Sequence, residues 1–134
     1  MQQRPVIPKN WKGVEGGFEN AVMLLKQKKL HEAILVLQEI LEFSHTEAKV
    51  WHLLGRIQQV QRLHDEAIHS FQEARRYYKQ KQSKQRSAPI SLRLAKLLML
   101  QGDAVAAHTM LEELLFLEPD NIELQDIKIE WQGI

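Results

Sequence analysis

Few side chains in this sequence have the types and spacings that catalysis or metal binding requires. His64 and His69 are five residues apart, about 140° around a helix, so they do not share one face as the i, i+4 histidines of a zinc-binding helix do. Glu112 and Glu113 are adjacent and point in different directions, and the sequence positions no base beside Ser70. The sequence therefore predicts no catalytic residue, no metal site and no cofactor, and we do not expect an enzyme.

The composition is that of one small domain. The chain has 134 residues, of which 44% are hydrophobic, and this is enough to bury a core without disulfides or metal ions. It contains no cysteine, and no apolar run has the length of a signal peptide or approaches the roughly 20 residues needed to span a bilayer. We therefore expect a soluble protein with a cytoplasmic location.

Charge is distributed unevenly along the chain, although the net charge of the whole is only +1. Residues 1–47 carry six basic and six acidic side chains, residues 48–87 carry nine and three, and residues 88–134 carry three and eight. The net charges of these thirds are therefore 0, +6 and −5. Such a field steers association and suppresses wrong partners. The middle third is expected to attract acidic partners and the last third to repel them.

Helices are the elements that must position these side chains. Long segments lie between the prolines, which are the strongest helix breakers and occur only at Pro5, Pro8, Pro89 and Pro119. Apolar residues recur at intervals of three and four within residues 30–41, 94–98 and 111–115, which is the period of a helix. Strand-like alternation occurs only briefly, at residues 127–131, where a helical stripe fits equally well. The pattern predicts an all-α fold.

A pattern of small and bulky residues occurs three times, anchored on Ala33, Ala67 and Ala107. A small residue lies twelve positions before each anchor, a bulky residue four positions after it, and a further apolar residue or alanine seven positions after it. In that order the residues are Ala21, Gly55 and Ala95, then Leu37, Phe71 and Leu111, then Ile40, Ala74 and Leu114. The repetition predicts three pairs of helices, each joined by a tight turn, that approach closely at the small positions.

These residues resemble the tetratricopeptide repeat family, and the second unit carries the likeness most clearly. At the family's spacing it has the family's tryptophan, leucine-glycine pair, alanine, phenylalanine and alanine, namely Trp51, Leu54, Gly55, Ala67, Phe71 and Ala74. Residues 117–121 form the family's usual turn between repeats. The first and third units have Gly17 and Ser91 where a tryptophan is typical, so they are expected to pack less tightly.

The resemblance implies a right-handed solenoid of helical hairpins, with about three tetratricopeptide units and a C-terminal capping helix. We expect an N-terminal arm over residues 1–13, helix pairs over residues 14–47, 48–87 and 88–121, and the capping helix over residues 122–134. The cap is more apolar than a solvating helix requires, since it contains Ile122, Ile129, Trp131 and Ile134. These residues either cover the third unit, contact a further repeat of a longer solenoid, or mediate self-association with another subunit.

In this family the first helices of successive units line a concave groove that receives an extended peptide or a helix, and the resemblance implies such a groove here. The corresponding residues are Phe18, Val22, Leu25, Lys49, His52, Arg56, Gln59, Leu92, Lys96 and Met99. An apolar floor with basic positions predicts a protein partner that contributes an acidic and hydrophobic segment. Arg56 and Lys96 hold equivalent positions and are predicted to be exposed and to recognise the acids. The alternative is packing between helices for the apolar residues and mere solvation for the basic ones.

The resemblance suggests an interaction scaffold or adaptor, and the small three-repeat chaperones of bacterial secretion and pilus assembly are similar in size. No residue selects that role. Another branch of the family grips the terminal carboxylate of heat-shock chaperones with five polar side chains. The corresponding residues here are Phe18, Val22, Leu53, Pro89 and Arg93, and only Arg93 matches. A co-chaperone of that kind is therefore disfavoured.

A basic insertion separates the second and third units. The second and third anchors are 40 residues apart, against 34 for the first and second, and the six extra residues lie within residues 75–87. We expect them to extend the outer helix of the second unit by about one and a half turns. The basic side chains are Arg75, Arg76, Lys79, Lys81, Lys84 and Arg86. With Tyr77 and Tyr78 they suggest an alternative function, a nucleic-acid-associated factor that neutralises phosphates and stacks on bases. A solvated helix end is favoured over a nucleic-acid site because the segment holds no recognition motif.

Overall fold

The computed structural model describes residues 13–80 and 84–134, and within its fifth helix it describes side chains only from Ile90 onward. This part of the chain forms seven α-helices and contains no strand, which confirms the all-α prediction. The helices are α1 Gly13–Lys26, α2 Leu30–Phe43, α3 Ala48–Val60, α4 His64–Gln80, α5 Lys84–Leu100, α6 Ala104–Leu117 and α7 Ile122–Glu130. Apart from Gly13, the predicted N-terminal arm lies outside the described residues.

The helices pack as three successive hairpins. The most extensive contacts join α1 to α2, α3 to α4 and α5 to α6, while α2–α3 and α4–α5 contacts link one hairpin to the next and α7 packs on α6. Each hairpin turn passes through a left-handed residue, with φ values of 61° at Lys28, 62° at Arg62 and 89° at Gly102. The residue after each of these donates its N–H to a carbonyl five positions earlier, at 2.9 Å in all three turns. The turns are therefore equivalent in geometry as well as in sequence position.

The three anchors and the nine small and bulky residues placed relative to them are all buried, as the repeat predicted. All of them except Gly55 belong to two clusters of buried apolar residues that run along the stack. One contains Leu37, Ile40 and Leu54, and the other contains Phe71, Leu111 and Leu114. Trp51 packs against both clusters and so joins them. The periodic pattern therefore identified the faces along which the hairpins stack.

The six extra residues are distributed differently from the prediction. Helix α4 has 17 residues, three more than α2, and ends at Gln80. Helix α5 also has 17 residues, begins at Lys84 and continues through Pro89. The insertion is therefore shared between two helices instead of extending α4 by one and a half turns. Because good helix formers occupy the whole segment, composition alone does not mark where one helix ends and the next begins.

Helix α7 covers the last hairpin with one face and leaves the other face open. Leu124, Ile127 and Trp131 are buried against the second core cluster. Ile122, Ile129 and Ile134 are exposed, so of the four apolar residues that we singled out only Trp131 covers the third unit. Asn121 caps the helix, because its side-chain oxygen accepts the N–H of Leu124 at 3.1 Å.

Within the described ranges, no helix combines the length and the apolar character that crossing a lipid bilayer requires.

Candidate functional site

Two of the predicted groove cations have acidic partners inside the molecule. Lys49 on α3 places its Nζ 2.5 Å from Glu15 Oε1 on α1 and 4.8 Å from the centre of the Phe18 ring. Lys96 on α5 places its Nζ 3.7 Å from Glu123 Oε1 on α7. These carboxylates offset part of each positive charge. Lys96 is exposed, as expected, but its charge already has a partner within the chain.

Arg56 on α3 is in a different position, because it has no carboxylate partner among residues 13–80 and 90–134. Its side chain is exposed, as the sequence predicted. Arg93 on α5 lies near it, and the pKa of Arg93 is lowered from its usual value by burial and then by the positive charge of Arg56. The Nη1 of Arg93 also donates a hydrogen bond to Gln59 Oε1 at 3.3 Å. The two guanidinium groups therefore share one region of the surface.

His52, one turn before Arg56, completes this region. Its ring lies edge-on to Phe71, with centroids 6.1 Å apart, and to Tyr78, with centroids 6.5 Å apart. Burial lowers the pKa of His52 to about 4, and the charges of Arg56 and Arg93 contribute to the shift. At neutral pH the imidazole is therefore uncharged. We refer to His52, Arg56 and Arg93 as the basic cluster.

Arg93 was missing from the residues predicted to line the groove. The signal that could have identified it was present, because it is the one residue that matches the carboxylate-gripping branch of the family. Its neighbour in space, Arg56, is 37 positions away in the chain and has no counterpart in that branch's five-residue pattern. The position of α5 next to α3 brings the two side chains to the same part of the surface.

The apolar groove positions are mostly packing residues. Phe18 and Leu25 pack against the first core cluster, and Leu92 and Met99 pack against the second. Each is partly buried, so it offers only an edge to a ligand. Val22 is also partly buried. These positions therefore present only the partly exposed edges of apolar side chains.

An open cleft of about 720 Å³ lies between α5 and α7. Its lining combines apolar and acidic side chains with Lys96, namely Met99, Leu100, Ile122, Ile127, Trp131, Glu123, Asp126 and Glu130. The surface that the inner helices share is thus basic at α3 and α5 and acidic at α7. The sequence did not predict this change of sign, because it depends on α7 lying beside α5.

The described part of the basic insertion, residues 75–80, does not form the surface that the nucleic-acid alternative requires. Tyr77 and Tyr78 are each only 8% exposed, so their rings are unavailable to stack on bases. Arg75 is partly buried, donates from Nε to Ser91 Oγ at 2.9 Å and forms an ion pair with Glu113. Arg75 therefore does not present a free charge, and the two tyrosines lie in the core instead of on the surface.

The remaining basic residues of the insertion are only partly described. Arg76 lies 3.8 Å from Glu73, and its guanidinium carbon is 6.0 Å from the centre of the Tyr77 ring. Lys79 is exposed. The side chains of Lys81, Lys84 and Arg86 lie outside the described residues.

The side chains first considered for chemistry have structural contacts instead. Ser70 is buried and donates its hydroxyl to Gln58 Oε1 at 2.6 Å, and His69 lies edge-on to Trp51 with centroids 5.6 Å apart. Glu112 pairs with Lys128 at 3.2 Å. In the described parts of the chain, no group of three or more histidine, aspartate or glutamate side chains is arranged to hold a metal ion.

Comparison with known proteins places the chain within one family. The family model described as tetratricopeptide repeat matches residues 61–128, about half of the chain. A search of curated proteins finds no significant match.

Several solved structures share the fold. The N-terminal domain of stress-induced protein-1 from C. elegans aligns over 89% of this chain and 94% of its own, with a TM-score of 0.78 and 14% identity. The Yersinia enterocolitica type III secretion chaperone SycD, solved with a peptide of the translocator YopD, aligns over 90% and 87%, with a TM-score of 0.63 and 18% identity. YrrB, described as having an unusual peptide-binding site, aligns over 89% and 58%, with a TM-score of 0.66 and 15% identity. At these identities the likeness shows the fold, and together with the family match it establishes that the chain belongs to the tetratricopeptide repeat family.

Proposed function

We propose that this protein is a non-catalytic interaction scaffold whose concave groove binds an acidic and apolar segment of another protein. The basic cluster is the observation that carries the proposal. Arg56 and Arg93 hold like charges near each other, and Arg56 has no carboxylate partner in the described part of the chain. Because like charges repel, a ligand carboxylate placed between them relieves this repulsion and gains two charge-assisted hydrogen bonds.

The ligand's acidic and apolar groups have separate places in the groove. Arginine binds carboxylates with two parallel N–H donors, so Arg56 and Arg93 together set the position of an acidic side chain. Apolar side chains of the ligand then meet the exposed edges of Val22, Leu92 and Met99. Methionine adapts its shape to different partners, which suits a groove that takes more than one sequence.

The fold relatives support a peptide ligand. SycD was solved in complex with a translocator peptide, and YrrB has a peptide-binding site. A secretion or pilus-assembly chaperone is therefore the sharper version of this proposal. Tyr77 and Tyr78 are buried and cannot stack on bases, so we do not propose a nucleic-acid-associated function. A cytoplasmic location stays a prediction of the sequence.

The division into helix pairs over residues 14–47, 48–87 and 88–121, with a cap over residues 122–134, is part of the same proposal. The outward isoleucines of α7 support self-association through this cap. The helix pairs supply the groove, and the cap closes its acidic end.

A designed ligand tests the groove directly. We would synthesise a fluorescent amphipathic helix with leucines at i, i+3, i+4 and i+7 and glutamates beside them, and a second helix with lysines in place of the glutamates. Fluorescence anisotropy should show that the acidic helix binds and that binding weakens as salt is raised, while the basic helix binds far more weakly. Equal binding of the two helices would refute charge recognition in the groove.

Two double variants locate the site. Arg56→Glu with Arg93→Glu should reduce acidic-helix binding by at least about tenfold, because each substitution replaces attraction with repulsion. Arg76→Glu with Lys79→Glu reverses the same number of charges on the second helix of the hairpin and should change binding little. Circular dichroism should show the same helicity for both. If the outer pair matters and the inner pair does not, the groove proposal fails.

A further inference from the structure

Helix α7 carries an exposed apolar and acidic face, one edge of which borders the cleft with α5. Ile122 and Ile129 are 73% and 64% exposed, whereas Leu124 and Trp131 are buried. Ile122 and Ile129 are seven residues apart, about two helical turns, so they lie on one face, and Asp126 lies between them on that face. This is the face opposite the one that covers the core.

Carboxylates border the two isoleucines. Glu123, Asp126 and Glu130 are all exposed. Lys96 lies near Glu123, but Asp126 and Glu130 have no cationic partner among the side chains that the structure describes. An exposed apolar patch rimmed by polar side chains is typical of an interaction site. The two isoleucines therefore mark this face as a contact surface.

The basic cluster and the outer face of α7 are complementary in chemistry. The groove requires a ligand with carboxylates beside apolar side chains, and the outer face of α7 is a helix of that description. Arg56 and Arg93 are cationic and Asp126 and Glu130 are anionic, so the two surfaces attract each other between molecules. Within one molecule the contact cannot form, because α7 is fixed against α6 by its inner face.

We propose that the outer face of α7 is a ligand for the groove of a second copy of this chain. The inference rests on the proposed function, since it assigns that groove a ligand. Asp126 and Glu130 of one copy lie against Arg56 and Arg93 of the other, and Ile122 and Ile129 lie on the apolar floor. A pairing of α7 with α7 is disfavoured because it sets acid against acid.

Such a contact joins two different surfaces, and this determines the form of the assembly. Each bound copy keeps one free groove or one free α7, so further copies add head to tail. The product is therefore a series of oligomers whose mean size grows with protein concentration, and not a closed dimer. An acidic helix bound in the groove competes with the contact.

Sedimentation velocity of the full chain tests the proposal over about a hundredfold concentration range around the micromolar affinities typical of small interfaces. The wild type should sediment faster as concentration rises. The groove variant Arg56→Glu with Arg93→Glu should remain monomeric, and so should the cap variant Asp126→Asn with Ile129→Ser. An equimolar mixture of the two variants should form a dimer and nothing larger, because one intact groove and one intact α7 remain.

Val105→Asn is the matched control for the loss of an exposed apolar side chain. Val105 is 80% exposed on α6, so this substitution should not affect association. Failure of the mixture to dimerise while each variant is folded would overturn the proposal, as would a groove variant that still associates. If the wild type stays monomeric but binds the designed acidic helix, the head-to-tail contact fails and the proposed function stands. If it does neither, the proposed function fails as well.

Discussion

Arg56 and Arg93 are held near each other by packing on their own helices and not by attraction to an acid. The arrangement carries an electrostatic cost in the free protein, since burial first and the positive charge of Arg56 second lower the pKa of Arg93. Lys49 and Lys96 avoid such a cost through Glu15 and Glu123. At the scale of single residues, then, the cations of the predicted groove fall into two classes: Lys49 and Lys96 have a carboxylate partner, and Arg56 has none in the described part of the chain.

The pKa of His52 gives a prediction at this scale. The folded protein holds the His52 pKa at about 4, below the usual 6.5, because the ring is buried against Phe71 and Tyr78 and lies near Arg56 and Arg93. The unfolded chain therefore binds a proton more readily between pH 6.5 and 4, and the contribution of His52 to stability is lost as the pH falls through that range.

Arg56→Glu replaces a charge that lowers the His52 pKa with one that raises it. We expect the midpoint of the His52 resonances in an NMR titration to move upwards, and the loss of melting temperature between pH 7 and pH 5 to become smaller. Lys79→Glu, which changes charge on α4 instead, serves as the control and should leave the His52 midpoint in place. An unchanged midpoint in Arg56→Glu would show that Arg56 and His52 are not neighbours in solution.

At the scale of helices, close packing within the second hairpin depends on one missing side chain. A Cβ atom at Gly55 would lie 2.8 Å from Phe71 Cε1 and 2.9 Å from Phe71 Cδ1, and Phe71 is fully buried. At Gly17 the added atom would lie 3.0 Å from Cδ1 and Cγ1 of Ile40, which is also fully buried, but a flexible aliphatic side chain adjusts more easily than a rigid ring. The two glycines therefore serve helix packing to different degrees.

Gly55→Ala should destabilise the protein although alanine is the better helix former. Overpacking costs about 1–3 kcal/mol and the gain in helix propensity returns about 0.5–1 kcal/mol, so we expect a net loss of about 1 kcal/mol or more in urea unfolding. Gly17→Ala is the control and should cost less or stabilise. Adding Phe71→Leu to Gly55→Ala should cost less than Phe71→Leu costs in the wild type. Full additivity of the pair would contradict the predicted contact between the two positions.

At the scale of the molecule, α7 and the adjoining Trp131 cover the third hairpin. This side chain is 6% exposed, and its ring lies edge-on to His108 with centroids 5.9 Å apart. Because each hairpin contacts only its neighbours, loss of the cover exposes the third hairpin before it affects the first. The outer face of α7 has no such role in the fold.

Opposite faces of α7 should therefore respond differently to truncation. Trp131→Ala should lower the unfolding free energy by about 3 kcal/mol, since a large buried aromatic side chain is removed. Ile129→Ala should change it by no more than about 0.5 kcal/mol, since Ile129 is 64% exposed. Urea unfolding of dilute, monomeric protein is the measurement. Equal losses for the two variants would show that α7 packs through a different face.

The helical repeat, the hairpin turns and the buried faces can be predicted from the pattern of residue types in the sequence. Ala33, Ala67 and Ala107 and the residues spaced from them are buried as their period predicted, because each hairpin meets its neighbours through the same few positions. The exposure of Arg56 followed from the same alignment.

Which charged side chains have a partner, and which aromatic side chains are buried, depends on how the helices pack together. Lys96 is paired because α7 lies beside α5, and Arg93 joins Arg56 because α5 lies beside α3. The tyrosines at positions 77 and 78 are buried because α4 continues past the usual hairpin length and still packs on α5. A repeating pattern describes equivalent positions, whereas an ion pair depends on the distance between two positions that are not equivalent. The stacking of the helices sets that distance.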